Sequence, residues 1–376
     1  MESSLLSTLL LSAFMLGITA SLYDPHLYPK KGPFFEGWYI RITDYEKDES
    51  LGVLFGKVLP RDPTTSDPPT LVTFLKTDGQ KPLKSYDRFL AADDVDVFVG
   101  PQNGKVISDP LVKSPAYFSW QAKNCGLLNV TPSGAWFNFT IGTITFNGRI
   151  EKPVQWDPEG KGPEGWLHHL PLPLAWFVYS LGSDVMFSWH DSRTGEYYNG
   201  KGLAHMEKNW GKSFPTAWFW AEGVRHSDRV SFAMSGGPVG FGPLSVTGHL
   251  IGYRNPLKGI SLDYRPDNSL MSMDRDACNG ALNITFRSVM HKLSVFMKAP
   301  VGTFSGCLYG PQANGFQKAC SESFKTRAEI VAYERPLIGS YKEMDRQVIE
   351  GAALEFGGDF LCKELCDPSY DGSEVD

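Results

Sequence analysis

The 376-residue chain has no run of Lys or Arg, and its 36 basic residues against 42 acidic ones leave a net charge of −6. That argues against nucleic acid or an anionic membrane surface as a partner. After the first twenty residues no apolar stretch is long enough to span a bilayer. Helical periodicity is nearly absent; the one good helix candidate is Gln347–Phe356, interrupted by Gly351. There is no G-x-S-x-G elbow, H-E-x-x-H, P-loop or dinucleotide fingerprint, so none of those chemistries has sequence support. His168 and His169 are adjacent and would point to opposite faces of a strand, which suits loop residues better than a shared metal. Cysteine is sparse, six residues at spacings unlike a zinc motif.

What is present is turn-rich and aromatic. Thirty-eight Gly, 26 Pro and 13% aromatic residues favour a β protein. FFEGWYIRIT (34–43) alternates as a first strand, with Glu36, Trp38 and Ile40 on one face, and LGVLFGKVL (51–59) follows as its hairpin partner. Further short strands recur at close intervals as far as AEIVAYERP, the pattern of an antiparallel barrel or sandwich. The expected organisation is a signal peptide over 1–20, one β domain over 21–200, a second over 201–340, and a short helix with an acidic tail over 341–376. The apolar segment 4–19 followed by Ala20 reads as a secretory leader, which places the protein outside the cell or in the secretory lumen. The even cysteine count then predicts disulfides, with Cys307–Cys320 the best local pair across a Gly/Pro/Asn loop. Cys362 and Cys366 suit other partners better than each other. Asn129, Asn138 and Asn283 are candidate glycosylation sites, the first weakened by Pro132.

One stretch, His205–Glu222 (HMEKNWGKSFPTAWFWAE), concentrates the polar and aromatic residues. Trp218, Trp220 and Glu222 fall on one strand face; His205, Glu207 and Asn209 share another, opposite Met206, Lys208 and Trp210. Trp218-Phe219-Trp220 echoes Gly37-Trp38-Tyr39, which suggests two similar halves whose tryptophan strands face a shared interior. Glu36 and Glu207 are costly to bury unpaired, and Lys208 and Arg41 are obvious partners, so internal ion pairing is one role open to them. The other is chemistry in an apolar pocket.

EGWY at 36–39, GW at 165–166, EKNWGKSFP at 207–215 and WFW at 218–220 resemble the tocopherol cyclase family, in the same order, over about Tyr28–Pro336. The resemblance implies two lipocalin-like halves and an intramolecular cyclisation that closes a chromanol ring on a prenylated quinol or a similar amphipathic lipid. Such a reaction needs an acid for the alkene, a dry aromatic pocket for the carbocation, and a base for the phenol proton; it needs neither cofactor nor metal. On that reading Glu36 or Glu207 is the acid, and His205 or the other Glu the base, with Lys208 beside them. Trp38, Tyr39, Asn209, Trp210, Trp218, Trp220 and Glu222 would contact substrate. The alternatives are a secreted lipid-binding protein without catalysis, and a cyclase or hydratase for another terpenoid or polyketide.

Overall fold

The computed structural model describes residues 22–23, 25–26, 31–47, 49–99, 118–241, 244–366 and 374–375. The apolar leader lies outside these residues, as does the acidic tail except for Glu374–Val375.

The first sheet is built from β1 (Phe34–Asp44), β2 (Glu49–Leu59), β3 (Thr70–Lys76), β4 (Lys84–Leu90), β5 (Val95–Val99), β6 (Phe118–Ala122), β7 (Gly126–Thr131), β8 (Gly134–Ile141), β9 (Ile144–Glu151), β10 (Leu174–Asp191) and β11 (Tyr197–Gly211). They run antiparallel in the order β4-β3-β2-β1-β11-β10-β9-β8-β7-β6-β5. The second sheet is built from β12 (Ala217–Val224), β13 (Ser231–Phe241), β14 (Leu244–Asn255), β15 (Ile260–Tyr264), β16 (Leu270–Asp276), β17 (Ala281–Arg287), β18 (His291–Lys298), β19 (Leu308–Pro311), β20 (Phe316–Glu334) and β21 (Lys342–Gly358). Its order is β15-β14-β13-β12-β21-β20-β18-β17-β16, with β19 hairpinned onto β20. Glu374–Val375 (β22) adds in parallel beside β4. In both sheets the first strand pairs with the last, β1 with β11 and β12 with β21. The two halves therefore share a plan, and each curls into a barrel-like, lipocalin-like layer.

Period-two alternation explains the outer strands. In β8 the side chains of Ala135, Phe137 and Phe139 are buried while Trp136 and Asn138 are exposed. The central strands are buried on both faces, as β12 is at every position. Each sheet wraps its own core. Trp38, Phe55, Phe74, Trp120 and Phe139 fill the first, and Phe232, Tyr253, Phe286, Val295 and Leu354 fill the second. A third cluster, with Tyr39, Trp176, Trp218, Trp220, Cys320 and Phe324, lies where the outer faces of the two central strand pairs meet.

Three expectations change. Gln347–Phe356 is not a helix but part of strand β21, and the helical pieces among the described residues are 3-10 turns of three to five residues. The cysteine pairs are Cys278–Cys362 and Cys307–Cys366, so Cys320 is not bridged to Cys307. Both bonds tie the segment after β21 to turns of the second sheet. Finally, His205–Glu222 is split between the sheets: its first part ends β11, its last part opens β12, and a turn at 212–216 carries the chain across.

Candidate functional site

The site follows from which faces of β1, β11, β12, β20 and β21 meet. On β1, Glu36, Trp38, Ile40 and Ile42 turn into the first barrel, whereas Tyr39 and Arg41 turn toward the second sheet. On β11, Met206, Lys208 and Trp210 turn inward, while His205, Glu207 and Asn209 face across the interface. Tyr39 is paired across the strands with Glu207. In the second sheet one row of paired positions runs Trp220, Glu355, Glu322 over β12, β21 and β20. The two rows oppose one another, and polar groups bridge them. Tyr39 donates its hydroxyl to Glu322 Oε1 at 3.0 Å, and Trp220 donates its indole N–H to Glu207 Oε2 at 3.0 Å. Deeper in the interface Arg41 donates to Glu222 and to the Gly351 carbonyl, and to Ser50 Oγ at 3.0 Å.

Around these bridges lies a cavity of about 280 Å³, walled mainly by apolar and aromatic side chains. Trp176, Trp218, Trp220, Phe214 and Leu250 line it, together with residues of the connection from Leu167 to Ala175. Gly357 makes room for one wall, since a Cβ there would sit 2.0 Å from Trp218 Cε2. Into this apolar space project Glu207, Glu322 and Glu355. Trp218 donates its N–H to Glu355 Oε1 at 2.5 Å, and His205 Nε2 lies 2.7 Å from Glu207 Oε2. Asn209 donates weakly to Glu207 Oε1 at 3.3 Å.

The environment decides which carboxyls hold protons. Burial pushes Glu355 up to about 7, helped by the charge of Glu207 and opposed by hydrogen bonds from Trp218 and Cys320. Burial raises Glu322 well above the ordinary carboxylate range, and its cross-strand neighbour Glu355 pushes the same way. Two carboxyls side by side in an apolar wall cannot both ionise cheaply, so the pair retains protons at neutral pH and titrates as a unit. Burial and the Glu322 charge likewise hold the Tyr39 phenol well above its usual value. The Cys320 thiol is raised by burial and then by Glu355 and Glu322, so it is no nucleophile. Just before the Leu167–Ala175 connection, burial moves Glu164 up to about 8, although it accepts the Trp176 backbone N–H at 2.7 Å.

Of the residues expected from sequence, Tyr39, Glu207, Asn209, Trp218 and Trp220 line the cavity. His205 is buried behind Glu207 and reaches the cavity through it. Glu36, Trp38, Lys208 and Trp210 are not in the site. They occupy the interior of the first barrel, where Lys208 Nζ sits 3.1 Å from Glu36 Oε1 and His26 stacks on Trp210 at 4.3 Å. Burial works against the Glu36 carboxylate, but the Lys208 ammonium and His26 hold its pKa below the ordinary value. Glu222 is ion-paired with Arg41 and does not line the cavity. The tryptophan strands do not face a shared interior as the echo suggests, because Trp220 meets Tyr39, edge to face at 5.3 Å, rather than Trp38. Sequence reasoning missed Glu322, Glu355 and Glu164. A period-two reading of Cys320-Ser321-Glu322-Ser323-Phe324 places Glu322 among apolar neighbours, and the same reading of Ala353-Leu354-Glu355 exposes Glu355.

Of the sequons, Asn138 and Asn283 are exposed and Asn129 is buried.

Two barrel-like sheets that meet around a largely apolar cavity, with carboxyl side chains in its wall, define an all-β, two-sheet class of protein. A family model described as tocopherol cyclase-like matches residues 32–358, and the chain belongs to that family. Among solved structures, a protein from Nitrosomonas europaea described as an AttH is similar over 90% of this chain and 100% of its own, at 12% identity and a TM-score of 0.48. Kievitone hydratase from Nectria haematococca is similar over 87% of this chain and 89% of its own, at 10% identity and a TM-score of 0.42. No curated protein sequence matches the chain.

Proposed function

We propose that the protein is a cofactor-independent isomerase that closes a chromanol-type ring on a prenylated quinol or a similar prenylated phenol. The observation that carries this reading is the Glu322–Glu355 pair, a proton store facing an apolar, tryptophan-walled cavity. In the proposed step the pair gives its proton to the less substituted carbon of the first tail alkene, whose π electrons form the new C–H bond. The tertiary cation lies against the faces of Trp218 and Trp220. The phenol oxygen attacks it, the O–H bond breaks, and Glu207 takes that proton, with His205 fixing the carboxylate's position. Return of the proton from Glu207 to the pair resets the enzyme, and the product is an isomer of the substrate. Tyr39, bonded to Glu322, holds the acid's orientation. The apolar side chains of the Leu167–Ala175 connection, which line the cavity, would limit access of water to the cation.

The test is incubation of the purified protein with a phytylated quinol. Conversion gives a chromanol with shifted retention and unchanged mass. Glu355→Gln is expected to lower kcat by roughly 10²–10⁴-fold, the usual range for removing a general acid, while leaving quinol binding intact. Binding without conversion by the unmodified protein would replace this reading with that of a lipid carrier. A product heavier by one water would replace it with that of a hydratase.

A further inference from the structure

We infer that the exposed rings of Trp136 and Phe296 are platforms for N-linked glycans carried on Asn138 and Asn283. Both asparagines begin an Asn-x-Thr tripeptide within a strand, Asn138-Phe139-Thr140 in β8 and Asn283-Ile284-Thr285 in β17. The alternation of a strand puts Asn and Thr on the outer face and drives the middle residue inward, and Phe139 and Ile284 are both core residues. Asn129 in β7 has the same tripeptide but is 7% exposed, with Trp136 as its cross-strand partner.

The exposed aromatics make the connection. Among the described residues the exposed Trp and Phe side chains are Trp136 at 47%, Trp166 at 52% and Phe296 at 48%. Trp166 has a polar reason for its place, donating its indole N–H to Asp267 Oδ2 at 2.7 Å. Each of the other two stands next to an exposed sequon. Trp136 precedes Asn138 by two residues on the same face, which is about 6.6 Å along a strand. Phe296 is directly opposite Asn283 in the β17–β18 pair, where Cβ atoms lie about 4.5–5.5 Å apart. Both spacings bring the first sugar of an Asn-linked chain over the ring. The Asn138 side adds a groove in which Trp136 and Met186 offer apolar surface and Asn147, Ser188 and Asn199 offer amide and hydroxyl groups. Asn138, Asn147, Ser188 and Asn199 are register partners across β8–β11, so the polar row runs away from the attachment point. A pyranose has an apolar C–H face and a rim of hydroxyls, which matches an aromatic face with such a row beside it.

The attachment itself is a group transfer from a polyprenyl-pyrophosphate-linked oligosaccharide. The bond from the sugar C1 to the pyrophosphate oxygen breaks, the new bond forms to the asparagine Nδ2, and the amide proton leaves to the departing lipid pyrophosphate. Transfer must precede folding of β8 and β17, because Phe139 and Ile284 are buried afterwards. The two disulfides suit the oxidising compartment in which such transfer occurs.

The experiment is secretion of the full chain from a eukaryotic cell line, followed by glycopeptide mass spectrometry and thermal unfolding. Asn138 and Asn283 are expected to be occupied and Asn129 empty. Trp136→Ala is expected to lower Tm of the glycosylated protein by about 2–4 °C, with little effect in an Asn138→Gln background and rescue by Trp136→Phe. Phe296→Ala and Asn283→Gln should show the same coupling. Empty Asn138 and Asn283 would overturn the inference, as would an equal Tm loss from the aromatic substitutions with and without the glycan. Because exposed substitutions leave the cores intact, enzymatic deglycosylation of the folded protein gives the same comparison without any variant.

Discussion

At the scale of single residues, the site is a contest between desolvation and pairing. Glu36 is fully buried and Glu355 sits partly buried in the cavity wall, yet they end on opposite sides of the ordinary carboxylate value. The Lys208 ammonium lies beside Glu36, whereas Glu355 has an indole donor and other carboxyls. The pH dependence follows with a definite sign. If protonated Glu355 is the acid, kcat falls as pH rises through about 7, since the donor is then lost. A carboxyl whose folded pKa is raised binds protons more tightly in the folded state. Its contribution is therefore most favourable below the unfolded value and is lost as pH rises toward and through about 7. The unmodified protein should lose stability relative to Glu355→Gln between about pH 4.5 and 7, read as a growing gap in urea midpoints. A gap that stays flat over that range would show that Glu355 titrates normally. The motif EKNWG made Glu207 visible in the sequence. Glu355 was not, because the segment reads with a helical period, and only the two-residue period of strand β21 sets it on the same face as Ala353.

At the scale of elements, strands covered on one face keep a legible period of two, as β8 does, and β1, although buried on both faces, still reads as a strand from its aromatic and β-branched residues. In β21, Ala352, Ala353 and Leu354 are all buried, facing the second core and the interface in turn, so the two-residue period vanishes and Ala and Glu mimic a helix. The cysteines show a related limit. Cys307 and Cys320 are close in sequence, but β19 and β20 set Leu308, not Cys307, opposite Cys320. The thiols of Cys307 and Cys278 instead meet the chain returning after β21. Those bonds close loops of 84 and 59 residues. Removing Cys278–Cys362 by a double serine substitution is expected to cost about 2–5 kcal/mol, measured by denaturant unfolding. Cys320→Ser is expected to cost less than that, and a loss as large would contradict the observed pairing.

At the scale of the whole molecule, the two-half plan was visible in the repeated tryptophan strands, but the way the halves meet was not. That depends on which faces of β1 and β12 are left over once each sheet has filled its own barrel. The answer is a face rich in polar groups that can be satisfied only by the other sheet. Arg41 is the clearest case, buried in the first sheet with Glu222 and the Gly351 carbonyl of the second as acceptors and the Phe324 ring 4.7 Å from its guanidinium carbon. A buried ion pair contributes little over an apolar pair of the same size, but breaking it strands one charge. Arg41→Met should therefore cost about 3–5 kcal/mol, because Glu222 is left buried among apolar neighbours. Glu222→Leu alone should be comparably harmful, stranding Arg41. The double variant Arg41→Met/Glu222→Leu should recover most of the loss, giving a large coupling in a double-mutant cycle. Simple additivity would mean that the pair does not hold the sheets together. The same cycle bears on the cavity: the Arg41 side chain lies two residues along β1 from Tyr39, on the same face, so loosening it shifts the hydroxyl that orients Glu322. Quinol turnover in Arg41→Met should then fall even at temperatures where the protein remains folded, and the double variant should regain part of it along with its stability.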